Sequence, residues 1–351
     1  MASSWLDVVR TSRGNSNSTT HCQFACFVGK KLEPSLHSLM TRPLMRGGRF
    51  PDHSSLSWEK AKYCALESCA NEVSMSWESY YAEVQSAYDR IASSYDETVG
   101  RALVSQRAKS LAVELIRGVT PAGGWLLDIG CYTGGESLLL AQRGFRVVGV
   151  DLSPKMIELS RAKAKRWHLA DRTRFLVGRA SDLSPVVDLG VGPFDAAYSV
   201  YGTLNLEPQL HLFKRSLHPL LKSRGKLIIG LLNPIALYEL LFSPLLLKFD
   251  GYRKLARRHV RTRIGIGNEQ VFAFLYSVRE FSGLLAPEFC LERVLGVHIL
   301  YKPPGPRKGD GEGLWWVARA MDRIERRLEE RAPFSNLGFF SIMIFRTEPL
   351  V

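Results

Sequence analysis

From residue 125 onward, short apolar runs alternate with segments in which apolar residues recur at helical spacing. Runs of five or six aliphatic residues are typical of buried strands, and apolar positions three or four apart are typical of amphipathic helices. Ser153 and Pro154 are a typical N-cap and first residue of a helix that runs to about Lys165, and residues 209–221 predict another amphipathic helix. Because helices separate the strands, the pattern predicts a parallel sheet covered on both faces. The predicted strands are residues 125–129, 146–150, 173–177, 194–199 and 226–231.

Similar patterns flank this alternation. The segments WESYYAEVQSAYDRIASSYDETV and RALVSQRAKSLAVELIRGV repeat apolar residues at helical spacing, so we expect ordered structure to begin near Ser76. Residues 291–300 and 339–345 are typical of two further strands, and WWVARAMDRIERRLEERA between them has an amphipathic helix pattern. The longest apolar stretch, residues 226–249, is interrupted by polar residues and prolines, so it predicts a buried strand and an apolar helix but no transmembrane segment.

Residues 1–74 lack this periodicity. They are rich in Ser, Gly, Pro and Arg, and their first fifty residues carry only two acids, Asp7 and Glu33. Such a composition is found in organellar transit segments and in disordered extensions, and translation that truly starts at Met75 would also account for it. We therefore predict a disordered or targeting extension at residues 1–74 and one folded domain at residues 75–351.

Residues 126–153, LLDIGCYTGGESLLLAQRGFRVVGVDLS, carry the most informative pattern. An apolar run ends in Asp128, a glycine-rich turn follows from Gly130, and the second predicted strand ends at Asp151. Glycine lets the backbone approach a ligand where a Cβ would collide. An acid at the end of the second strand can accept hydrogen bonds from both ribose hydroxyls. The segment predicts a βαβ unit that binds a nucleoside at the carboxyl ends of two parallel strands.

Two common nucleotide-binding patterns are absent from this turn. The spacing fails the dinucleotide pattern G-x-G-x-x-G, and there is no G-x-x-x-x-G-K-[ST] phosphate loop. The segment instead resembles motif I of class I S-adenosylmethionine-dependent methyltransferases, whose usual form is D-x-G-x-G-x-G. Tyr132 stands where the middle glycine is usual.

The resemblance extends over residues 88–346. AYDRIASSYDE, at residues 87–97, is similar to the segment before motif I in small-molecule methyltransferases of the ubiquinone/menaquinone-biosynthesis type. The resemblance implies an α/β fold, a Rossmann-like doubly wound seven-stranded sheet with an antiparallel last strand and helices on both faces. It also implies a substrate-lid insertion around residues 233–288.

The resemblance implies S-adenosylmethionine as the cofactor, bound at the ends of the first four strands. In such enzymes the helix before motif I folds over the cofactor, and Tyr95 lies near its methionine end. Arg179 stands where an acid that meets the adenine is usual, which leaves Ala180 and Asp182 for the adenine edge. The predicted cofactor-binding residues are Tyr95, Asp128, Gly130, Cys131, Tyr132, Gly134, Asp151, Leu152, Ala180, Ser181, Asp182 and Ser199.

No side chain is an obvious general base. The candidates are Tyr201 and Asn205 after the fourth strand, together with His211 and His259. The eight histidines and six cysteines show no common metal-ligand spacing, so we predict no metal site. There is no G-x-S-x-G nucleophile elbow, and hydrolase chemistry therefore has no support in the sequence.

The chain is basic, with a formal net charge of +13 and a pI near 9.6. Such a charge favours anionic partners. Residues 252–263, YRKLARRHVRTR, could recognise a phosphate or carboxylate on the acceptor or an anionic membrane, or could form a solvated helix face. The segment lacks interleaved aromatics, so binding of nucleic acid is not predicted. The cysteines suggest no disulfide framework, which favours a cytoplasmic location, or an organelle if residues 1–74 are a transit segment.

The sequence therefore predicts an S-adenosylmethionine-dependent methyltransferase that acts on a small-molecule acceptor, possibly anionic, at an oxygen, nitrogen or carbon atom. Two alternatives remain open. The charge is compatible with an RNA or protein methyltransferase, although no N-P-P-Y-type tetrapeptide follows the fourth strand. Tyr132 and Arg179, which depart from the usual motifs, are compatible with a non-catalytic S-adenosylmethionine-binding protein.

Overall fold

The computed structural model describes residues 76–100, 103–245, 259–264, 269–301, 321 and 323–349. The first described helix begins at Trp77, and the Ser76 hydroxyl caps it by accepting a hydrogen bond from the Ser79 backbone NH at 3.1 Å. The helices are α1 Trp77–Ile91, α2 Tyr95–Thr98, α3 Leu103–Val119, α4 Gly135–Gln142, α5 Pro154–Arg166, α6 Ser184–Asp188, α7 Leu210–Leu217, α8 Leu237–Leu245 and α9 Val278–Leu285.

Nine strands form two sheets within the described residues. Seven of them make one sheet in the order β3-β2-β1-β4-β5-β9-β8, and β6 and β7 pair separately as an antiparallel hairpin. The strands are β1 Trp125–Ile129, β2 Arg146–Asp151, β3 Thr173–Val177, β4 Phe194–Ser199, β5 Leu221–Leu232, β6 His259–Arg263, β7 Gln270–Phe274, β8 Phe289–Val297 and β9 Phe340–Thr347.

The first five strands of the large sheet run parallel, with Leu127 of β1 in register with Val148 of β2 and Ala197 of β4. The last strand, β9, lies antiparallel between β5 and β8. This confirms the predicted seven-stranded sheet with an antiparallel last strand.

The core lies on both faces of this sheet. Side chains alternate between the two faces of a strand, so in β1 Leu127 packs with α1, α7 and α9, and Leu126 packs with α3 and α4. The predicted helices on both faces are therefore confirmed. The cavity described below opens on the face that α1 covers.

Three predicted boundaries differ from the observed ones by three or more residues. The helix predicted at residues 209–221 ends at Leu217, because Pro219 follows within a 3-10 turn. β5 consequently begins five residues before the predicted Lys226. β8 ends at Val297, because His298 takes a left-handed conformation with φ of 56° that breaks the strand.

The region after β5 contains α8, the β6–β7 hairpin and α9. The Tyr80 hydroxyl of α1 lies within hydrogen-bonding distance of the Phe272 carbonyl at 2.9 Å and the Leu206 carbonyl at 3.0 Å, which attaches the hairpin to α1. Most of the basic segment 252–263 lies outside the described residues, and its described end forms β6, not a helix face. Arg261 of this strand places its guanidinium 4.3 Å from the ring centroid of Phe272.

The long apolar stretch at residues 226–249 supplies the end of β5 and the helix α8, as its interruptions predict. Leu241 and Phe242 of α8 are exposed. Among the described residues, no helix has the length and apolar character needed to cross a bilayer.

Candidate functional site

The turn between β1 and α4 is built on residues with positive φ. Gly130 and Gly134 have φ of 77° and 76°, and the Gly130 and Cys131 backbone NH groups donate to the Val150 carbonyl of β2 at 2.8 and 3.0 Å. A Cβ on Gly130 would lie 2.2 Å from Thr203 Cγ2, so this position requires glycine both for its conformation and for space. The turn is thereby held against β2 and against the loop after β4.

Tyr132 takes the left-handed conformation in the same turn, with φ of 48°. Its ring stacks on Tyr95, with centroids 5.0 Å apart and planes at 14°, and lies 5.7 Å from the ring of Tyr88. The Thr203 hydroxyl donates to the Val200 carbonyl at 3.2 Å, so the Tyr132 hydroxyl donates to Thr203 Oγ1 at 3.1 Å. The ring fills space that a glycine would leave open, and Tyr95 lies behind it.

Asp151, at the end of β2, is a buried carboxylate with spare acceptor capacity. Its Oδ1 accepts from the Ser153 backbone NH and its Oδ2 from the Tyr132 backbone NH, each at 2.9 Å. Burial raises its pKa to about 6, against the lowering effect of these two bonds. A carboxylate offers about four lone-pair positions, so each oxygen can still accept a hydroxyl donor.

Asp151 lies in a cavity at the carboxyl ends of β1, β2 and β3. This is where open parallel sheets bind ligands. The predicted residues Gly130, Tyr132, Asp151, Leu152 and Ala180 line it. Helix α1 and the loop after β4 close it with Tyr81, Val84, Tyr88, Thr203, Leu206 and Glu207.

A second buried carboxylate, Glu207, lies at the wall that α1 and the loop after β4 form. Its Oε1 accepts from the Tyr81 hydroxyl in a short hydrogen bond and from the Gln209 backbone NH at 2.8 Å. Its Oε2 accepts from the Ser181 backbone NH at 3.1 Å. Burial raises the pKa of Glu207. Sequence reasoning missed Glu207, Tyr81 and Thr203, although the lone acid in GTLNLEP was a usable signal.

The other predicted cofactor residues do not line this cavity. Asp128 lies in β1, Cys131 and Gly134 lie in the turn after it, Tyr95 stacks on Tyr132, and the Ser181 backbone NH donates to Glu207. The remaining two are Asp182, which is exposed and lines a neighbouring groove, and Ser199, which is buried and has no hydrogen-bond partner for its hydroxyl among the described residues.

The four candidate general bases also lie away from the cavity lining. Burial raises the pKa of Tyr201, so its phenol stays protonated at neutral pH. The Asn205 amide donates to the Leu232 and Phe274 carbonyls at 3.2 and 2.7 Å and accepts from the Leu232 NH at 2.8 Å. It ties β5 to the hairpin. His211 is exposed on α7, and the side chain of His259 lies outside the described residues.

A metal centre finds no support in the described ranges of the chain. No group of three or more His, Cys, Asp or Glu side chains there could hold a metal ion.

Asp128 gives the turn a testable pH dependence. Burial raises the pKa of this carboxyl from 3.8 to about 8, and the Ser137 hydroxyl donates to it at 2.6 Å. A raised folded-state pKa stabilises the fold at low pH, and that contribution is lost as pH rises toward 8. We expect wild type to lose about 2 kcal/mol of unfolding free energy between pH 6 and 8 relative to Asp128→Asn, measured by urea denaturation.

The exposed acid Asp171 provides the control for this measurement. Asp171→Asn should follow the wild-type pH profile, because its side chain is 74% exposed. Parallel profiles for wild type and Asp128→Asn would show that Asp128 is not protonated in the fold at neutral pH.

Comparison with known proteins finds similarity to methyltransferases. The family described as "Methyltransferase domain" matches residues 126–225, from β1 into β5. Erythromycin 3''-O-methyltransferase of Saccharopolyspora erythraea is 34% identical over 119 residues, which are 33% of this chain and 37% of that protein. The ubiquinone/menaquinone biosynthesis C-methyltransferase UbiE of Geobacter sp. (strain M21) is 31% identical over 152 residues, 42% of this chain and 61% of that protein.

The similarity is partial in extent. The chain spans about a third of the length of the first curated relatives it matches. Among solved structures, the CcbJ methyltransferase from Streptomyces caelestis has a TM-score of 0.50 and 16% identity over 75% of this chain and 98% of that chain, which supports the fold alone. Together, the matched domain at residues 126–225, these relatives and the seven-stranded sheet with its glycine-rich turn and Asp151 make this chain similar to the class I S-adenosylmethionine-dependent methyltransferases.

Proposed function

We propose that this chain transfers a methyl group from S-adenosylmethionine to a small-molecule acceptor. The observation that carries the proposal is the buried Asp151 carboxylate, which faces a cavity at the strand ends beside the glycine-rich turn. The relatives named for methylation of erythromycin and of quinone precursors favour a small acceptor.

In this proposal Asp151 accepts hydrogen bonds from the two ribose hydroxyls. The base lies between apolar side chains that include Val84 and Leu152, and the backbone at Ala180 follows its edge. Methyl transfer from a sulfonium is an in-line displacement, so the main task of the protein is to align the acceptor with the methyl group. Alignment of this kind can contribute about 7–11 kcal/mol toward the barrier.

The proposal also assigns a role to the contact between Tyr132 and Thr203. Both side chains line the cavity around Asp151, and Ser199, at the end of β4, does not. An acceptor that meets the methyl group at the end of β4 requires the two side chains to part. Tyr132 would then be a positioning residue that closes behind the cofactor.

The test is transfer of radiolabelled methyl from S-adenosylmethionine to fractionated cell extracts. We expect label in the low-molecular-weight fraction, and none above background with Asp151→Ala. Label that appears only in RNA or protein would contradict the small-molecule acceptor. Tight binding of S-adenosylhomocysteine with no transfer to any fraction would favour a non-catalytic cofactor-binding protein.

A further inference from the structure

Glu207 is the second carboxylate that borders the cavity, and no step of the proposed function uses it. It follows β4 in the chain, yet its side chain crosses to the loop after β3 and accepts from the Ser181 backbone NH at 3.1 Å. It is only 3% exposed. Burial of a carboxylate is unfavourable unless donors surround it. We therefore expect a buried carboxylate at the wall of a ligand cavity to have a function there.

The strand order indicates which part of a nucleoside would reach Glu207. With the ribose on Asp151 at the end of β2, the two ends of the ligand point toward β1 on one side and β3 on the other. The Tyr132 ring closes the β1 side. On the β3 side, the small residues Gly178 and Ala180 line the cavity, and Glu207 lines the same cavity. The base therefore lies on the side of Glu207.

The contacts of Glu207 define the ligand group that it can meet. The Tyr81 hydroxyl and the NH groups of Ser181 and Gln209 are all donors, so Glu207 acts as an acceptor. They take three of about four lone-pair positions. The Ser181 hydroxyl also reaches Glu207, but it lies 3.2 Å from the Tyr81 hydroxyl and can turn toward it, which frees the fourth position for a ligand. An exocyclic amine fits this position, whereas a carbonyl oxygen is repelled.

We propose that Glu207 binds the exocyclic amine of the cofactor base and makes the site selective for adenine over a 6-oxopurine. The inference rests on the proposed function, because it requires the cofactor to bind with its ribose on Asp151. It also corrects the sequence-based choice of Asp182 as the acid at the adenine edge. Asp182 is exposed, and its Oδ1 accepts from the Ser184 backbone NH at 3.1 Å.

The test compares S-adenosyl-L-homocysteine with its deaminated analogue S-inosyl-L-homocysteine by calorimetry. A hydrogen bond to a charged group corresponds to roughly a 10- to 150-fold change in affinity, so wild type should prefer the adenine ligand by at least about tenfold. Glu207→Gln should reduce this preference to about threefold or less, since a carboxamide can accept from an amine or donate to a carbonyl. Asp182→Asn, the matched control, should keep the wild-type preference.

The outcomes separate this inference from the proposed function. Folded wild type that binds neither ligand overturns both. Wild type that binds both ligands equally overturns only the role of Glu207, and this comparison holds even if Glu207→Gln does not fold. Full discrimination by a folded Glu207→Gln, or its loss in Asp182→Asn, also overturns it.

Discussion

Asp151→Ala is expected to weaken binding of S-adenosylhomocysteine by about 100-fold or more at pH 8. Both ribose hydroxyls would donate to this one carboxylate, and each hydrogen bond to a charged group contributes about 1.5–3 kcal/mol. Calorimetry measures the loss directly, with circular dichroism to show that the variant is folded. An affinity within threefold of wild type would remove Asp151 from the cofactor site.

The same carboxylate should make binding depend on pH. Burial raises the pKa of Asp151 to about 6, and a ligand that donates hydroxyls to it favours the ionised form. Wild type should therefore bind S-adenosylhomocysteine about tenfold more weakly at pH 5 than at pH 8. Asp151→Ala should lose most of this dependence.

Asp89 offers a matched control for both measurements. Its Oδ1 accepts from the Ser153 hydroxyl and from the Lys155 backbone NH at 3.2 Å, and its charge contributes to the raised pKa of Asp151. Asp89→Asn retains an oxygen acceptor and removes the charge. It should leave affinity at pH 8 within about threefold and move the pH midpoint downward, because Asp151 then ionises more readily.

Most of the sheet could be predicted because its buried strands are short apolar runs that end at turn residues. The predicted strands at residues 125–129, 173–177 and 194–199 have the observed bounds. The start of β5 was missed because residues 222–224 are polar and exposed and give no apolar signal. Leu221 before them pairs with Phe194 of β4, and such pairing depends on the neighbouring strand more than on local composition.

The cofactor side of the cavity could be predicted in part for a similar reason. The hydrogen bonds of Gly130 and Asp151 join residues of one short segment of the chain, so a local sequence pattern reveals these two residues. Tyr81 and Glu207 meet across 126 positions of sequence, and only the packing of α1 on the loop after β4 brings them together. A local sequence pattern cannot reveal a pair that is so far apart in the chain. For the adenine edge, the prediction therefore chose Asp182, which is close to Ala180 in the chain.

Gly130→Ala is expected to cost about 2–5 kcal/mol of unfolding free energy. A left-handed conformation costs a residue with a Cβ about 1–2 kcal/mol, and overpacking typically adds 1–3 kcal/mol. The added methyl would lie 2.2 Å from Thr203 Cγ2 and 2.5 Å from Thr203 Oγ1. Urea denaturation measures the cost. Gly190→Ala isolates the backbone contribution, because Gly190 has φ of 67° and nothing lies within 4 Å of a Cβ there.

Thr203→Ala tests whether Thr203 is the source of the extra cost. It removes the two nearest atoms and leaves Thr203 Cβ at 2.8 Å from the added methyl, so relief should be incomplete. In a double-mutant cycle we expect Gly130→Ala to cost about 1 kcal/mol less in the Thr203→Ala background, within the range found for residues in contact. Additive effects, or a cost no greater than that of Gly190→Ala, would contradict the contact. Thr203 also bonds Tyr132, and both side chains line the cavity. The position of Thr203 in solution therefore bears on the proposal that these two side chains part so that the methyl group can reach the end of β4.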